Sequence, residues 1–528
     1  MKVGLYNFEM NIAIWKIQNI LIVRRLLLLL ILSVSFLGIS AQTKVEKWRI
    51  FEIVLKGKSN ENPYTDVKLS AVFTNGENTK IVTGFYDGKG IFKIRFMPQE
   101  IGTWAYVTSS NLKELTDKKG KFESVSNTKN NHGPVIVKDT FNFAYSDGKP
   151  YYPFGTTCYG WVHQGDSLAE LTLKTLSKGY FNKMRMCIFP KDYDWNKNEP
   201  ILYPFEGNPP TDWDYTKFNP AYFLNIEKRI SQLDSLGIEA DLIIFHPYDR
   251  WGFKKMDRKT DDLYINYIIA RFAAYKNVWW SIANEYDFMK EKKIDDWNHF
   301  IQLFAENDPY NHLRSIHSGS VMFDHSNPLL THASIQNEET FRAKELRLKF
   351  DKPIVYDECR YEGNINWSWG NLSAEEMVNK FWRGFTNGGF VGHGETYLTE
   401  NPAKWGYESN DVLWWSKGGV LRGQSQERIK FLRSIIETAP GYLSPVVNYE
   451  WWMPYSAVGY KDEYFLNYYN MDQPRSQIVQ LPETLKYNVE IINAWDMTIT
   501  PVKGEFSGKS LIQLPQKPFT ALRITKIK

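Results

Sequence analysis

Cysteine is scarce in this chain. The three that occur, Cys158, Cys187 and Cys359, are too few for a disulfide framework. All three fall on expected strands of a barrel, where a thiol acts as a small buried hydrophobe. Charge of one sign is also missing: the formal net charge is +4 and is spread along the chain. No basic run interleaves with aromatics, which excludes the electrostatic footprint of nucleic-acid binding. No apolar stretch reaches the ~20 residues that cross a bilayer, so no membrane span is expected in the mature protein. Nothing in the pattern signals an oligomeric state. What is plentiful is aromatic: 16% of residues are Phe, Trp or Tyr, including 19 Trp. Large cores account for most of these, and the remainder suit stacking on sugar rings, which have an apolar face.

With 528 residues the chain is too long for one ordinary core. Residues 1–41 read as a signal peptide. Arg24 and Arg25 precede the apolar segment Leu26 to Ile39, and small residues around Gly38 to Ala41 follow. An exported, secreted or periplasmic protein is expected, and the absence of a cysteine after the apolar segment speaks against a lipoprotein. Residues 43–130 carry short alternating strands, such as Val67–Phe73 and Ile91–Phe96, separated by Asn75-Gly76, Asp87-Gly88 and Gly102. That spacing predicts an N-terminal β-sandwich. Residues 442–528 read as β again and are expected to form a C-terminal β-sandwich.

Between them, residues 133–437 change period. Apolar strand-like runs alternate with amphipathic segments, the βα pattern of a parallel sheet. Eight strands are expected: Tyr152 to Tyr159, Phe181 to Phe189, Ile238 to His246, Val278 to Asn284, Leu313 to His317, Thr331 to Gln336, Ile354 to Glu358, and Phe390 to His393. The fold class is therefore α/β, a (β/α)₈ TIM barrel flanked by two β-sandwiches. In a barrel of this kind every strand end opens onto one face, where chemistry sits.

Two of those ends carry a carboxylate straight after a buried run. Asn277-Val-Trp-Trp-Ser-Ile-Ala stops at Asn284-Glu285, and Pro353-Ile-Val-Tyr-Asp stops at Glu358. A carboxylate there is costly unless used or paired. Glu285 could serve the first turn of a helix, and Glu358 could pair with Arg360 or Arg185. An Arg185 beside Glu358 would hold that carboxylate ionised. Simple strand alternation turns Asp357 to the face opposite Glu358. The other strand ends offer Tyr159, Trp161, His246, Asn284, His317, His393 and Glu395, with Trp195, Trp213, Trp367 and Trp369 in the loops after strands two and seven. This ring of polar and aromatic side chains suits a polyhydroxylated ligand, and a pair of carboxyl groups is what glycosidic-bond cleavage requires. No cofactor or metal is called for.

Five stretches carry a resemblance: Tyr152-Pro-Phe-Gly-Thr-Thr157, Phe181-Asn-Lys-Met-Arg-Met186, Val278-Trp-Trp-Ser-Ile-Ala-Asn-Glu285, Pro353-Ile-Val-Tyr-Asp-Glu358 and Gly392-His-Gly-Glu-Thr-Tyr397. In these the chain resembles the retaining glycoside hydrolases of clan A, and more closely the apiosidase-like barrels of exported bacterial proteins. The resemblance implies Glu285 as general acid/base, Glu358 as nucleophile and Asn284 as partner of the sugar 2-hydroxyl. It implies an oligo- or polysaccharide substrate of plant or host origin. The chain departs from the clan at strand eight, where an aromatic residue is common and His393 and Glu395 stand instead. Asp357 and Glu395 are therefore alternatives to Glu358 for the second carboxylate. Two competing readings follow from the same residues. One is a metal-dependent barrel hydrolase built on His246, His317 and His393, although strand one has no His-x-His pair and the chain has no His-Glu-x-x-His helix. The other is a carbohydrate-binding protein that has lost catalysis.

Overall fold

The computed structural model describes residues 43–399, 411–446 and 455–527, so the segment read as a signal peptide lies outside the described residues. The central sheet has eight parallel strands: β1 (Phe154–Thr157), β2 (Lys183–Cys187), β3 (Glu239–Phe245), β4 (Val278–Ala283), β5 (Arg314–Ser315), β6 (Ala333–Gln336), β7 (Ile354–Glu358) and β8 (Phe390–His393). They are hydrogen-bonded in the order β5-β4-β3-β2-β1-β8-β7-β6, and one parallel bridge, His317 to Ser334, joins the two ends. The sheet is thus a barrel, with its short β5 as the weakest seam. All residues of β2, β3, β4 and β7 are buried, as expected of strands covered on one face by helices and on the other by the barrel core.

Local chemistry sets the helices. Helix Pro220–Ser235 begins where Asn219 accepts from the Ala221 N–H at 3.1 Å with Pro220 at the first turn, and it ends before Gly237 at φ 68°. Helix Arg258–Phe272 starts on an Asp257 cap. Their amphipathic pattern is evident from Tyr222 and from Leu263, and both helices start earlier, because the cap and not the apolar face fixes the first turn. Between β5 and β6 there is no helix. The carboxylate of Asp287 instead gathers the N–H groups of Gly319, Ser320 and Val321 and holds this connection as a loop.

Before the barrel stand a five-stranded and a three-stranded sheet, packed about Phe73, Ile94, Phe96 and Phe122, and a second three-stranded sheet of Val135–Lys138, Asn142–Tyr145 and Pro150–Tyr151 leads into β1. The first two include the strands Lys44–Glu46 and Lys119–Val125, beside those at 48–55, 67–73, 81–86, 91–96 and 103–107 whose apolar pattern is evident in the sequence. After it stand a six-stranded sheet and a two-stranded one. The six-stranded sheet lies on helix Ala374–Thr386, where the Tyr468 hydroxyl donates to Asn379 at 3.0 Å. Among the described residues no helix is long and apolar enough to cross a membrane.

The first sandwich is locked to the barrel by a buried ion cluster. Arg95 of the sandwich donates to both oxygens of Glu227 at 2.6 and 2.9 Å, and Arg271 donates to Glu227 at 2.7 Å and to Asp87 at 2.8 Å. Truncating Glu227 leaves two desolvated guanidinium groups short of their partner. Glu227→Ala is expected to cost about 3–5 kcal/mol, measured as a lower midpoint in denaturant unfolding. A change near zero would show that the cluster does not hold the sandwich to the barrel.

Candidate active site

Chain reversal after β4 creates the site. Asn284 still bonds along the sheet, its N–H on the Phe245 carbonyl at 2.9 Å, and the Tyr286 N–H bonds the His317 carbonyl at 3.0 Å. Glu285, between them, is held left-handed at φ 50°. A non-glycine residue pays for that conformation, and such strain concentrates at functional sites. Here it turns the Glu285 side chain from the sheet into the barrel mouth.

The second carboxylate arrives through an irregularity of β7. Ile335 pairs with Tyr356 and Gln336 with Glu358, so β7 carries one extra residue at Asp357. A bulge of this kind lets two consecutive side chains share a face. Asp357 therefore does not face away from Glu358, as alternation predicts. It points into the barrel, where Lys183 donates to it at 2.7 Å and Arg185 lies 3.1 Å away. β2 and β7 are not neighbours in the sheet, so these bonds can form only across the interior. Lys183 also pairs with Asp241. Burial opposes the charge of Asp357, but Lys183 and Arg185 outweigh it and hold that carboxyl well below the usual range. Asp357 is a support beneath the site.

Glu285 and Glu358 both line a cavity of about 630 Å³ at the C-terminal end of the barrel, with Tyr159, Lys191, Tyr193, Tyr248, Gln336, Tyr361, Trp369 and Trp415 among its walls. Gln336 bridges the pair: its amide nitrogen is 3.1 Å from Glu285 Oε1 and 3.3 Å from Glu358 Oε2. Their environments differ. Burial and the neighbouring charge of Glu358 push the Glu285 carboxyl upward. Its partners are the Tyr248 hydroxyl and, at 3.0 Å, the Asn284 amide. Burial also acts on Glu358, but His317, Arg185 and the Tyr159 hydroxyl outweigh it and bring that carboxyl down to about 2. His317 Nε2 stands 3.4 Å from Glu358, while its Nδ1 is 3.0 Å from Ser334. Arg185 reaches Glu358 by charge alone. Its guanidinium donates to Ser334 Oγ at 3.3 Å and to Asn284 Oδ1 at 2.8 Å, and the second bond orients the Asn284 amide toward Glu285.

Several strand-end residues do not reach the cavity wall. Trp161 is fully buried, with its indole N–H on the Met186 sulfur at 3.1 Å. Arg185 lies under Asn284. His246 turns to the Phe189 carbonyl at 3.1 Å, behind Tyr248. His393 meets Thr156 at 3.2 Å and stacks on Phe181. Glu395 accepts the N–H groups of Arg422 and Gly423 at 2.7 and 2.8 Å, next to the buried Glu362. Trp367 is half exposed beyond the rim, and Trp213 packs away, its N–H on the Trp251 carbonyl at 2.8 Å. Trp369 does line the cavity, and Trp195 backs it, 6.5 Å from both Trp369 and Trp415. In the other cases the side chain sits too deep in the barrel, too far round its outside or beyond its rim. The three histidines of a metal-centre reading are turned to separate partners. Glu395 is likewise too far behind the wall to act as the second carboxylate.

The aromatic surface that strand eight does not supply comes from the chain that follows it. Trp415, whose carbonyl accepts from the Tyr159 N–H at 3.0 Å, packs edge-on to Tyr159 and forms part of the wall. Tyr248 was within reach of sequence reasoning, two residues beyond His246. Trp415 and Lys191 were not, because no local pattern marks them.

A parallel barrel with two carboxylates at the ends of β4 and β7, bridged by one amide and walled by aromatics, defines the class of barrel glycoside hydrolases acting on carbohydrate. The chain belongs to the family described as apiosidase-like, catalytic domain, whose profile matches residues 138–441. Two domains of unknown function match residues 44–111 and 451–525. The chain is similar to a candidate glycoside hydrolase from Bacteroides vulgatus ATCC 8482, at 40% identity over 92% of this chain and 100% of that one, with a TM-score of 0.86. A glycoside hydrolase family 5 structure from the same organism shares the fold, at 16% identity over 75% of this chain and 94% of that one, TM-score 0.59. Among functionally curated proteins none matches. The protein is a glycoside hydrolase.

Proposed function

We propose that the protein is an exported, retaining glycosidase that cleaves an O-glycosidic bond of a plant or host glycan, with Glu285 as general acid/base and Glu358 as nucleophile. The observation that carries this reading is the contrast between two carboxylates that share one amide donor. Glu358 is held ionised by Tyr159, His317 and Arg185, as a nucleophile needs. Glu285 is pushed toward its protonated form, as an acid needs. A single nitrogen bonded to both limits the gap between the facing oxygens to two hydrogen-bond lengths, on the order of 6 Å. Retaining enzymes hold the two groups ~5–5.5 Å apart, inverting ones farther to admit a water. We assign the sugar 2-hydroxyl to Asn284, which stands beside Glu285 just under the cavity wall and is fixed by Arg185. Export rests on the charged, apolar and small-residue order of residues 1–41.

The test is a panel of aryl glycosides and plant polysaccharides, with the anomer of the first-formed product followed by NMR. Retention of configuration supports the reading and inversion overturns it. The pH–rate profile should be bell-shaped. Its acid limb falls as Glu358 takes up a proton, below the ordinary carboxylate range, and its alkaline limb falls as Glu285 loses one, above that range.

Tyr159→Phe removes a donor to the charged form of Glu358, so the pKa of that group rises. The acid limb is expected to move to higher pH, and kcat/KM at neutral pH to fall roughly ten- to a hundredfold. An unmoved acid limb would show that the Tyr159 hydroxyl does not tune the nucleophile.

A further inference from the structure

Lys191 follows β2 by four residues on a fixed loop. Its carbonyl accepts from the Asn196 amide at 2.5 Å, and the next N–H, of Asp192, bonds the Tyr248 carbonyl at 2.8 Å. The residue is 5% exposed, and what it exposes faces the cavity shared with Glu285 and Glu358. Its ammonium lies 3.5 Å from the ring centre of Tyr159, 4.3 Å from that of Tyr248, 5.0 Å from that of Trp415 and 5.5 Å from that of Tyr193. The hydroxyls of the first two rings go to Glu358 and Glu285 respectively. The cation is therefore caged by the same tyrosines that hold the two carboxylates.

Aromatic faces attract a cation but do not accept its hydrogen bonds as oxygen does. Among the described residues no carboxylate lies within ion-pair distance of Lys191 Nζ, and no oxygen accepts from it. The other cavity cation, Arg360, is engaged with Glu338 and Asn371, each at 3.2 Å. An ammonium this enclosed, whose three donors meet no protein acceptor, depends on whatever fills the cavity to supply one.

We propose that Lys191 is the specificity residue of this cavity and that the sugar it binds carries a carboxylate, as a uronic acid unit of an acidic glycan does. The assignment deepens the glycosidase reading and rests on it. A sugar hydroxyl takes up a donor but adds no opposite charge to the distant ones of Glu285 and Glu358. A carboxylate accepts charge-assisted bonds and cancels the charge. The two active-site glutamates do not repel such a substrate strongly, because Glu285 is biased toward its neutral form and Arg185 stands behind Glu358. Burial pushes the Lys191 ammonium downward, and a carboxylate beside it restores the charged form.

The test uses the full chain carrying Glu358→Gln, with glucuronate and galacturonate as probes against glucose and galactose, followed by calorimetry and by the fluorescence of the wall tryptophans. The uronates are expected to bind roughly ten- to a hundredfold more tightly than the neutral sugars. Adding Lys191→Met, which keeps the stem, should erase that preference by lowering uronate affinity roughly ten- to a hundredfold, while neutral sugars lose no more than the share of one neutral hydrogen bond. Lys191→Gln, which keeps a neutral donor, should do the same and guards against a packing defect. Equal binding of both classes, binding of neither, or a preference that survives both variants overturns the proposal. Turnover of glycosides by the Glu358→Gln chain would instead overturn Glu358 as the nucleophile and leave this inference to the binding comparison. An inactive Glu358→Gln chain with no uronate preference would overturn this inference alone.

Discussion

Glu358→Gln is expected to lower kcat/KM on any substrate found by on the order of 10⁴-fold or more, the loss seen when a covalent nucleophile is removed. The amide matches the carboxylate in size, and the site has donors on several sides: the Tyr159 hydroxyl, Gln336 at 3.3 Å and His317 at 3.4 Å. The substitution therefore removes charge and nucleophilicity while leaving the cavity walls in place. Steady-state kinetics beside a thermal melt separate the two effects: a large rate loss with a melt close to wild type is the expected pair. Retained turnover would sink the assignment. The two alternative carboxylates would not easily replace it, since Asp357 is locked between Lys183 and Arg185 and Glu395 lies behind the wall under the 422–423 backbone.

Glu285→Gln is expected to cost about 10²–10⁴-fold on substrates with poor leaving groups. The reason is that the leaving oxygen then departs without a proton. On aryl glycosides with acidic phenols the first step needs little protonation, and the loss should shrink. The sign of the pH effect follows from the direction of the shift. The folded protein holds Glu285 above the ordinary carboxylate value, so its acid form persists to higher pH and is lost as pH rises through that value. The variant should therefore lack the alkaline limb. Azide should restore turnover by attacking the glycosyl-enzyme in place of activated water, releasing a glycosyl azide of retained configuration. An alkaline limb that survives in Glu285→Gln would move the acid role elsewhere, with Tyr248 the nearest titratable group.

Much of this protein is legible along the chain. The change from period two to alternating buried runs and amphipathic segments identifies a barrel between strand-rich flanks, because each element must bury one face and the period says which. The costly placement of Glu285 and Glu358 at the ends of buried runs marks them before any coordinate is known. The seam between β5 and β6 was the least legible part. Its strands are short, and its connection is held by Asp287 contacts to backbone, which leave no periodicity.

What the sequence by itself determined was the architecture and the two carboxylates, since both follow from burial, a local and periodic property. Tertiary structure alone decided which polar strand ends reach the cavity. Trp161, His246, His393 and Glu395 share a pattern with Tyr159 and Glu358, but depth along the barrel axis and a one-residue bulge in β7 sort them, and neither is encoded in alternation. It also brought Lys191 from the loop after β2 against Trp415 from the chain after β8, 5.0 Å apart. That contact exists only because the barrel closes, joining segments that no local pattern relates.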